Sequence, residues 1–161
     1  MTTAPTGTVT FLFTDIEGST RRWEAHPVAM RDAVDRHDAL MRQAIAAEGG
    51  HVFKTIGDAF CAVFSTPHDA VNAALNAQLA LQSADESAIG GLDVRMSLHS
   101  GVADERDNDY FGPTVNRVAR LLSAAHGQQV LLSGVTEALV SDNLPPGVSM
   151  IDMGSHRLKD L

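Results

Sequence analysis

The stretch His51-Val52-Phe53-Lys54-Thr55-Ile56-Gly57-Asp58-Ala59-Phe60-Cys61-Ala62-Val63-Phe64 decides the fold. Two strand-like runs, His51–Ile56 and Ala59–Phe64, are separated by little more than Gly57-Asp58, which reads as a β-hairpin with a tight tip. Upstream, residues 27–47 place Ala33, Val34, His37, Leu40, Met41, Ala44 and Ile45 at helical spacing, and Gly49-Gly50 supplies a left-handed stop. Before that helix, residues 9–13 form a β-branched and aromatic run long enough for a buried strand. The run stops at a polar turn, residues 14–20, that can cap the helix behind it. Downstream, Pro67 stands near a helix start and residues 69–82, rich in Ala and Leu, predict a second packed helix. Gly90-Gly91 precedes a strand over 92–100, and a polar, acidic excursion follows over 103–109. A third helix over 114–125 carries Val115, Val118, Ala119, Leu122 and Ala125 on one face. Residues 129–132 and 148–153 read as short closing strands joined through a small helix near 135–140. The order β-α-β-β-α-β predicts an α+β, ferredoxin-like core with helices packed on one sheet and extra C-terminal strands. Fold order alone does not establish function.

Composition narrows the classes. The chain has 161 residues and 44% hydrophobic content, enough for one compact domain with a real core. Residues 1–7 read as a loose tail and 8–161 as a single domain, with no internal repeat or low-complexity tract. A net charge of −8 and a pI near 5.2 argue against a broad nucleic-acid footprint. A few Lys and Arg side chains can still dominate one cleft for a phosphorylated small molecule. The single Cys61 cannot form an intrachain disulfide, which fits a reducing cytosol, and it reads as a small buried strand residue. No apolar stretch approaches a membrane span and no signal-peptide pattern opens the chain, so a cytoplasmic domain is expected.

The residues that carry chemistry cluster at a few breaks in this pattern. Asp15 ends a buried-looking strand, and Asp58 sits at the hairpin tip after Gly57. Alone, each has an ordinary reading, as a helix cap and as a turn residue. As a pair at one sheet edge they repel unless protonated or bridged by cations. Magnesium resolves that repulsion and leaves coordination positions for phosphate oxygens. The turn Gly18-Ser19-Thr20 opens a helix, where backbone N–H groups attract anions and Gly18 permits close approach. It is not a Walker loop, because no Gly-Lys-Ser/Thr follows. Lys54 lies four residues before Asp58 on the ascending arm, and Asn116 and Arg120, spaced i,i+4, share a helix face distinct from the apolar stripe. The seven histidines are scattered without ligand spacing, and Trp23 reads as a helix-packing residue.

Taken together, four segments resemble the class III adenylate and guanylate cyclase family. They are Phe11-Leu12-Phe13-Thr14-Asp15-Ile16-Glu17-Gly18-Ser19-Thr20, Phe53-Lys54-Thr55-Ile56-Gly57-Asp58-Ala59-Phe60, Leu98-His99-Ser100-Gly101, and Tyr110-Phe111-Gly112-Pro113-Thr114-Val115-Asn116-Arg117-Val118-Ala119-Arg120. The resemblance spans nearly the whole chain. It implies that Asp15 and Asp58, assisted by the Ile16 carbonyl, hold two divalent cations, Mg²⁺ or Mn²⁺. It implies that Lys54 and Asp109 select the base, with Asp107 close by in the same excursion. Asn116 would position the ribose, Arg120 would stabilise transition-state charge, Gly18, Ser19 and Thr20 would meet phosphate, and Lys159 would meet the terminal phosphates.

The implied reaction is attack of the ribose 3′-oxygen on the α-phosphate of ATP, releasing pyrophosphate and 3′,5′-cyclic AMP. A lysine donor and an aspartate acceptor complement adenine N1 and N6 respectively, whereas guanine reverses that pattern. No side chain stands out as a general base. The resemblance further implies a head-to-tail homodimer with two composite sites. One protomer would supply Asp15 and Asp58, the other Lys54, Asp109, Asn116 and Arg120, with the excursion over 103–109 as a short dimerisation arm. The main rival is a non-catalytic nucleotide-binding or dimerisation module derived from a cyclase. A diguanylate cyclase is disfavoured because the tip reads Ile56-Gly57-Asp58-Ala59 rather than Gly-Gly-Asp/Glu-Glu-Phe, and a metal hydrolase lacks clustered histidines.

Overall fold

A computed structural model describes residues 4–158. Strand β1 (Thr8–Ile16) leads into helices α1 (Ser19–Ala25) and α2 (Pro27–Ala47), then strands β2 (His51–Ile56) and β3 (Ala59–Phe64). Helix α3 (Pro67–Ser83) and a short 3-10 turn (Ser87–Ile89) precede strand β4 (Val94–Val102). Two short strands, β5 (Asp104–Arg106) and β6 (Asp109–Phe111), are followed by α4 (Pro113–Ala124), β7 (Val130–Leu132) and α5 (Gly134–Val140). The main sheet is five-stranded in the order β2-β3-β1-β4-β7. Its first four strands are antiparallel throughout, and β7 joins β4 in parallel. This is the expected ferredoxin-like α+β arrangement with one added edge strand.

The central strand β1 is covered on both faces, which is why it reads as a continuous apolar run rather than an alternation. Leu12 and Ile16 join Phe60, Ala62, Phe64, Met96 and Leu98 in the larger core, closed by Met30, Ala33, Met41 and Ile45 of α2 and the alanine-rich face of α3. Val9, Phe11 and Phe13 point the other way, with Cys61, Val63, Tyr110 and Val118 of α4. The α2 stripe and the α4 stripe both pack as their helical spacing predicts. Gly49 takes φ +71° at the end of α2. A Cβ on Gly50 would lie 2.5 Å from the Phe64 ring, so a bare backbone is what lets this turn sit on β3.

The structure departs from the sequence expectation in four places. Strand β1 continues through Ile16, so the turn is reduced to Glu17-Gly18, and a separate helix α1 intervenes before α2. Helix α1 buries none of its residues, and Trp23 is 37% exposed rather than packed. The acidic excursion is a hairpin: Asp107 and Asn108 take φ +52° and +62° between β5 and β6, the geometry of a two-residue primed turn. Residues 148–153 form no strand, with Ile151 82% exposed, so β7 is the one added strand among the described residues.

Hairpin β2–β3 carries a bulge. Val52 pairs with Ala62 and Lys54 with Cys61, leaving Phe53 as the extra residue. Strict alternation would return Lys54 to the Val52 face, among the α2 and α3 side chains. The inserted residue instead turns Phe53 and Lys54 together towards the α4 face.

Candidate active site

Asp15 lies opposite Arg95 in the β1–β4 ladder, and the two meet on the α4 face of the sheet. Arg95 Nε donates to Asp15 Oδ1 at 2.7 Å and its terminal nitrogen donates to Oδ2 at 2.5 Å. This bidentate bond holds the guanidinium pKa above its usual value. Asp58 reaches the end of β1 from the hairpin tip, where the Ile16 amide donates to Oδ1 at 3.4 Å. Burial pushes the Asp58 carboxyl above the usual carboxylate range, against the pull of the Ile16 amide and the Ser19 hydroxyl; nearby Asp15 adds to the upward shift. The two carboxylates therefore do come to one sheet edge, on either side of the Ile16 backbone.

The turn behind them is held from below. Arg22 donates to the carbonyls of Glu17 and Gly91 and to the Asp93 carboxylate, with its side chain 16% exposed. The Glu17 amide donates to the Asp93 carbonyl at 2.8 Å, and its carboxylate accepts from the Gly127 amide at 2.7 Å. Gly18 takes φ +66° and caps α1 with no side-chain bond. Ser19 bonds Asp58, and Thr20 is exposed. Helix α1 has seven residues, so its dipole adds little to anion attraction at this turn.

On the same face, two strands away from Asp15, Lys54 Nζ lies 2.9 Å from Asp109 Oδ2. The lysine holds the Asp109 carboxyl below the usual range. Aromatic rings fix this pair from beneath: Phe53 stacks edge-on against Tyr110 at 4.8 Å and Phe11 at 5.8 Å. The Tyr110 hydroxyl donates to the Pro5 carbonyl at 2.6 Å. Cys61, directly opposite Lys54 in the ladder, is buried, and burial pushes its thiol up to about 11. Asp107 sits on the hairpin turn, two residues from the lysine partner.

Asn116 is exposed and Arg120 half-buried on α4, which packs across β4 and β1 through Val118. Lys159 lies outside the described residues. Arg95 and Arg22 are the side chains that sequence reading missed. An arginine flanked by the apolar Val94 and Met96 at the start of β4 was the available signal for the first. Its partner is 80 positions away, and only strand register joins them.

Asp15, Asp58 and the Ile16 carbonyl are hard oxygen donors, the chemistry that suits Mg²⁺ or Mn²⁺. Among the described residues no cluster of three or more His, Cys, Asp or Glu side chains is assembled for a metal. Two carboxylates with a carbonyl are nonetheless a sufficient set for a cation that also binds substrate phosphates. The half-buried, destabilised charge of Asp58 is what such a cation would relieve, so these residues fit it.

The family model for the adenylate and guanylate cyclase catalytic domain matches residues 1–159. The chain is 40% identical over 159 residues to an uncharacterized protein of Mycobacterium tuberculosis, covering 98% of this chain and 53% of that one. It thus spans about half the length of its mycobacterial relative. It is 39% identical over 154 residues to the adenylate cyclase of Schizosaccharomyces pombe, covering 80% of this chain and 9% of that enzyme. Among solved structures, a Trypanosoma brucei adenylate cyclase in its monomeric state superposes with a TM-score of 0.88 at 29% identity, over 99% of this chain and 87% of the other. An adenylate/guanylate cyclase/hydrolase from Silicibacter pomeroyi gives 0.82 at 27% identity, over 96% and 90%.

Proposed function

The chain belongs to the adenylate and guanylate cyclase catalytic-domain family, and from that premise we propose that it is an adenylate cyclase, converting ATP to 3′,5′-cyclic AMP and pyrophosphate in a head-to-tail homodimer. The observation that carries the choice of ATP is the Lys54–Asp109 pair at 2.9 Å. Its ammonium donor and carboxylate acceptor lie side by side, as adenine N1 and N6 require. The bulge at Phe53 and the ring beneath it keep the two groups in register with each other.

Asp15, Asp58 and the Ile16 carbonyl would hold two divalent cations, Mg²⁺ or Mn²⁺. When bound, these lower the pKa of the ribose 3′-hydroxyl and neutralise the leaving phosphates. The other roles belong to the chain itself. Asn116 orients the ribose and Arg120 places fixed positive charge where the α-phosphate oxygens gain negative charge. Gly18, Ser19 and Thr20 line the turn facing the phosphates, and Lys159 serves the terminal ones.

The dimer reading is supported by exposed apolar side chains on the arm, the β2–β3 hairpin and the end of β4. Ile56 is 65% exposed, Val102 66% and Phe111 48%. Lys54 and Asp58 also share one short hairpin, which suits service in two different sites. The deciding experiment incubates the chain with ATP or GTP plus Mg²⁺ or Mn²⁺ and resolves the products chromatographically. Cyclic AMP from ATP is expected; cyclic GMP in excess would overturn the base assignment, and no cyclic product would favour a non-catalytic module.

A further inference from the structure

Asp15 commits both of its carboxylate oxygens to one partner. Arg95 takes Oδ1 at 2.7 Å and Oδ2 at 2.5 Å, and the register Asp15↔Arg95 keeps the two backbones opposed. A divalent cation at Asp15 needs at least one of those oxygens. Each oxygen keeps a second lone pair, so guanidinium and cation compete through charge: an arginine already neutralising this carboxylate weakens its hold on a cation. Asp58 is not engaged in this way, since its one backbone donor stands at 3.4 Å.

We propose that Arg95 is a gate on the cation site, clamping Asp15 until an incoming polyphosphate draws the guanidinium away. The inference rests on the cyclase reading of Asp15 as a cation ligand. The exchange needs only side-chain motion: Arg95 is 25% exposed and Asp15 23%, so the pair opens to solvent while the ladder holds. A guanidinium matches phosphate oxygens with the same planar fork it presents to a carboxylate. Charge favours the concerted exchange as well. A cation entering beside a still-paired Arg95 meets a carboxylate already neutralised, whereas a nucleotide brings the anionic charge that releases the arginine. Cation and nucleotide thus bind as a coupled pair, and the cation alone binds weakly.

The test titrates Mn²⁺ into the chain without nucleotide and follows the loss of the free-Mn²⁺ electron paramagnetic resonance signal. Arg95→Gln is expected to tighten Mn²⁺ binding about tenfold, the scale of an ordinary coupling between two ligands. Arg21→Gln removes a charge beside the Gly18 turn without engaging Asp15, and is expected to change it by less than about twofold. Unchanged or weaker binding in Arg95→Gln overturns the gate, as does an equal gain in Arg21→Gln. If the Gln variant fails to fold by melting, Arg95→Lys is read in its place, because it keeps the charge but cannot clamp both oxygens; it too must bind Mn²⁺ more tightly than the parent. Asp15→Ala in the Arg95→Gln background separates the two readings. Binding that persists there sinks the Asp15 cation assignment and the gate with it. Binding that vanishes there, with no gain from Arg95→Gln alone, sinks the gate only.

Discussion

A carboxylate forced into a half-buried position beside a second carboxylate costs stability, and Asp58 is in that position. Its folded pKa lies above the unfolded value, so its contribution is favourable only at low pH and is lost as pH rises through the folded pKa. At neutral pH the charge works against the fold. Asp58→Asn keeps an acceptor for the Ile16 amide while removing that charge. Melting of the metal-free chain is expected to rise by roughly 3 °C, about 1 kcal/mol, while cyclic nucleotide production is lost. A fall in the midpoint would show that Asp58 is stabilising instead. His99 behaves in the opposite sense. Burial holds its imidazole below the ordinary 6.5, with Nδ1 2.6 Å from Ser133 Oγ. As pH falls through the unfolded value, the unfolded chain takes up a proton that the folded chain refuses, and stability drops. Urea midpoints between about pH 7.5 and about pH 5 should fall less steeply in His99→Gln than in the parent. Base selection also belongs at this scale: Lys54→Glu with Asp109→Cys should move the ATP/GTP ratio of kcat/KM towards GTP. An unmoved ratio would remove both residues from base reading and leave Asp107 as the next candidate. Asp15 and Asp58 were legible as an acid at a strand end and an acid after a glycine, whereas the roles of Lys54, Asp109, Asn116 and Arg120 came only from the family resemblance. Arg95 was not legible, because its role depends on a partner that only the sheet register supplies.

At the level of elements, the hairpin β5–β6 is a three-residue pair that could not hold itself against the sheet. Tyr110, 2% exposed, does it by packing edge-on to Phe11 and Phe53. Tyr110→Ala should cost about 3 kcal/mol in denaturant unfolding and weaken nucleotide binding through Asp109, the adjacent residue. Tyr110→Phe loses only the bond to the Pro5 carbonyl, about 1 kcal/mol, and should leave nucleotide binding intact. Equal effects of the two variants would mean that the hydroxyl, not the ring, anchors the arm. The strands and long helices were readable in advance because periodicity and glycine stops agree with the tertiary packing, as at α2 and Gly49. What was misread lacked such agreement. Asp107-Asn108 is a primed turn built from polar residues without glycine, and was read as an excursion rather than a hairpin. Residues 148–153 have strand-like composition but find no neighbouring strand to pair with. The bulge at Phe53 leaves no trace in composition, since a hairpin with or without it shows the same apolar runs.

For the molecule as a whole, Asp58 meets the end of β1 at Ile16, next to Asp15, while Lys54 and Asp109 form a separate pair. Shared sites make a specific demand. Co-expressed Asp15→Ala and Arg120→Ala protomers, each inactive alone, should recover about a quarter of parental activity per protomer, because about half the dimers are mixed and each has one intact site of two. A verified heterodimer that stays inactive would overturn the composite-site model. The bulge that aims Lys54 has a second effect, on solubility. Strand β2 is an outer strand of the sheet, with Thr55 and Ile56 exposed along it. A straight outer strand of that composition would be a template for pairing with further chains. The extra residue breaks its regular spacing of donors and acceptors, so deleting Phe53 would do more than misdirect a lysine: it would straighten the rim of the sheet and leave it open to edge-to-edge aggregation.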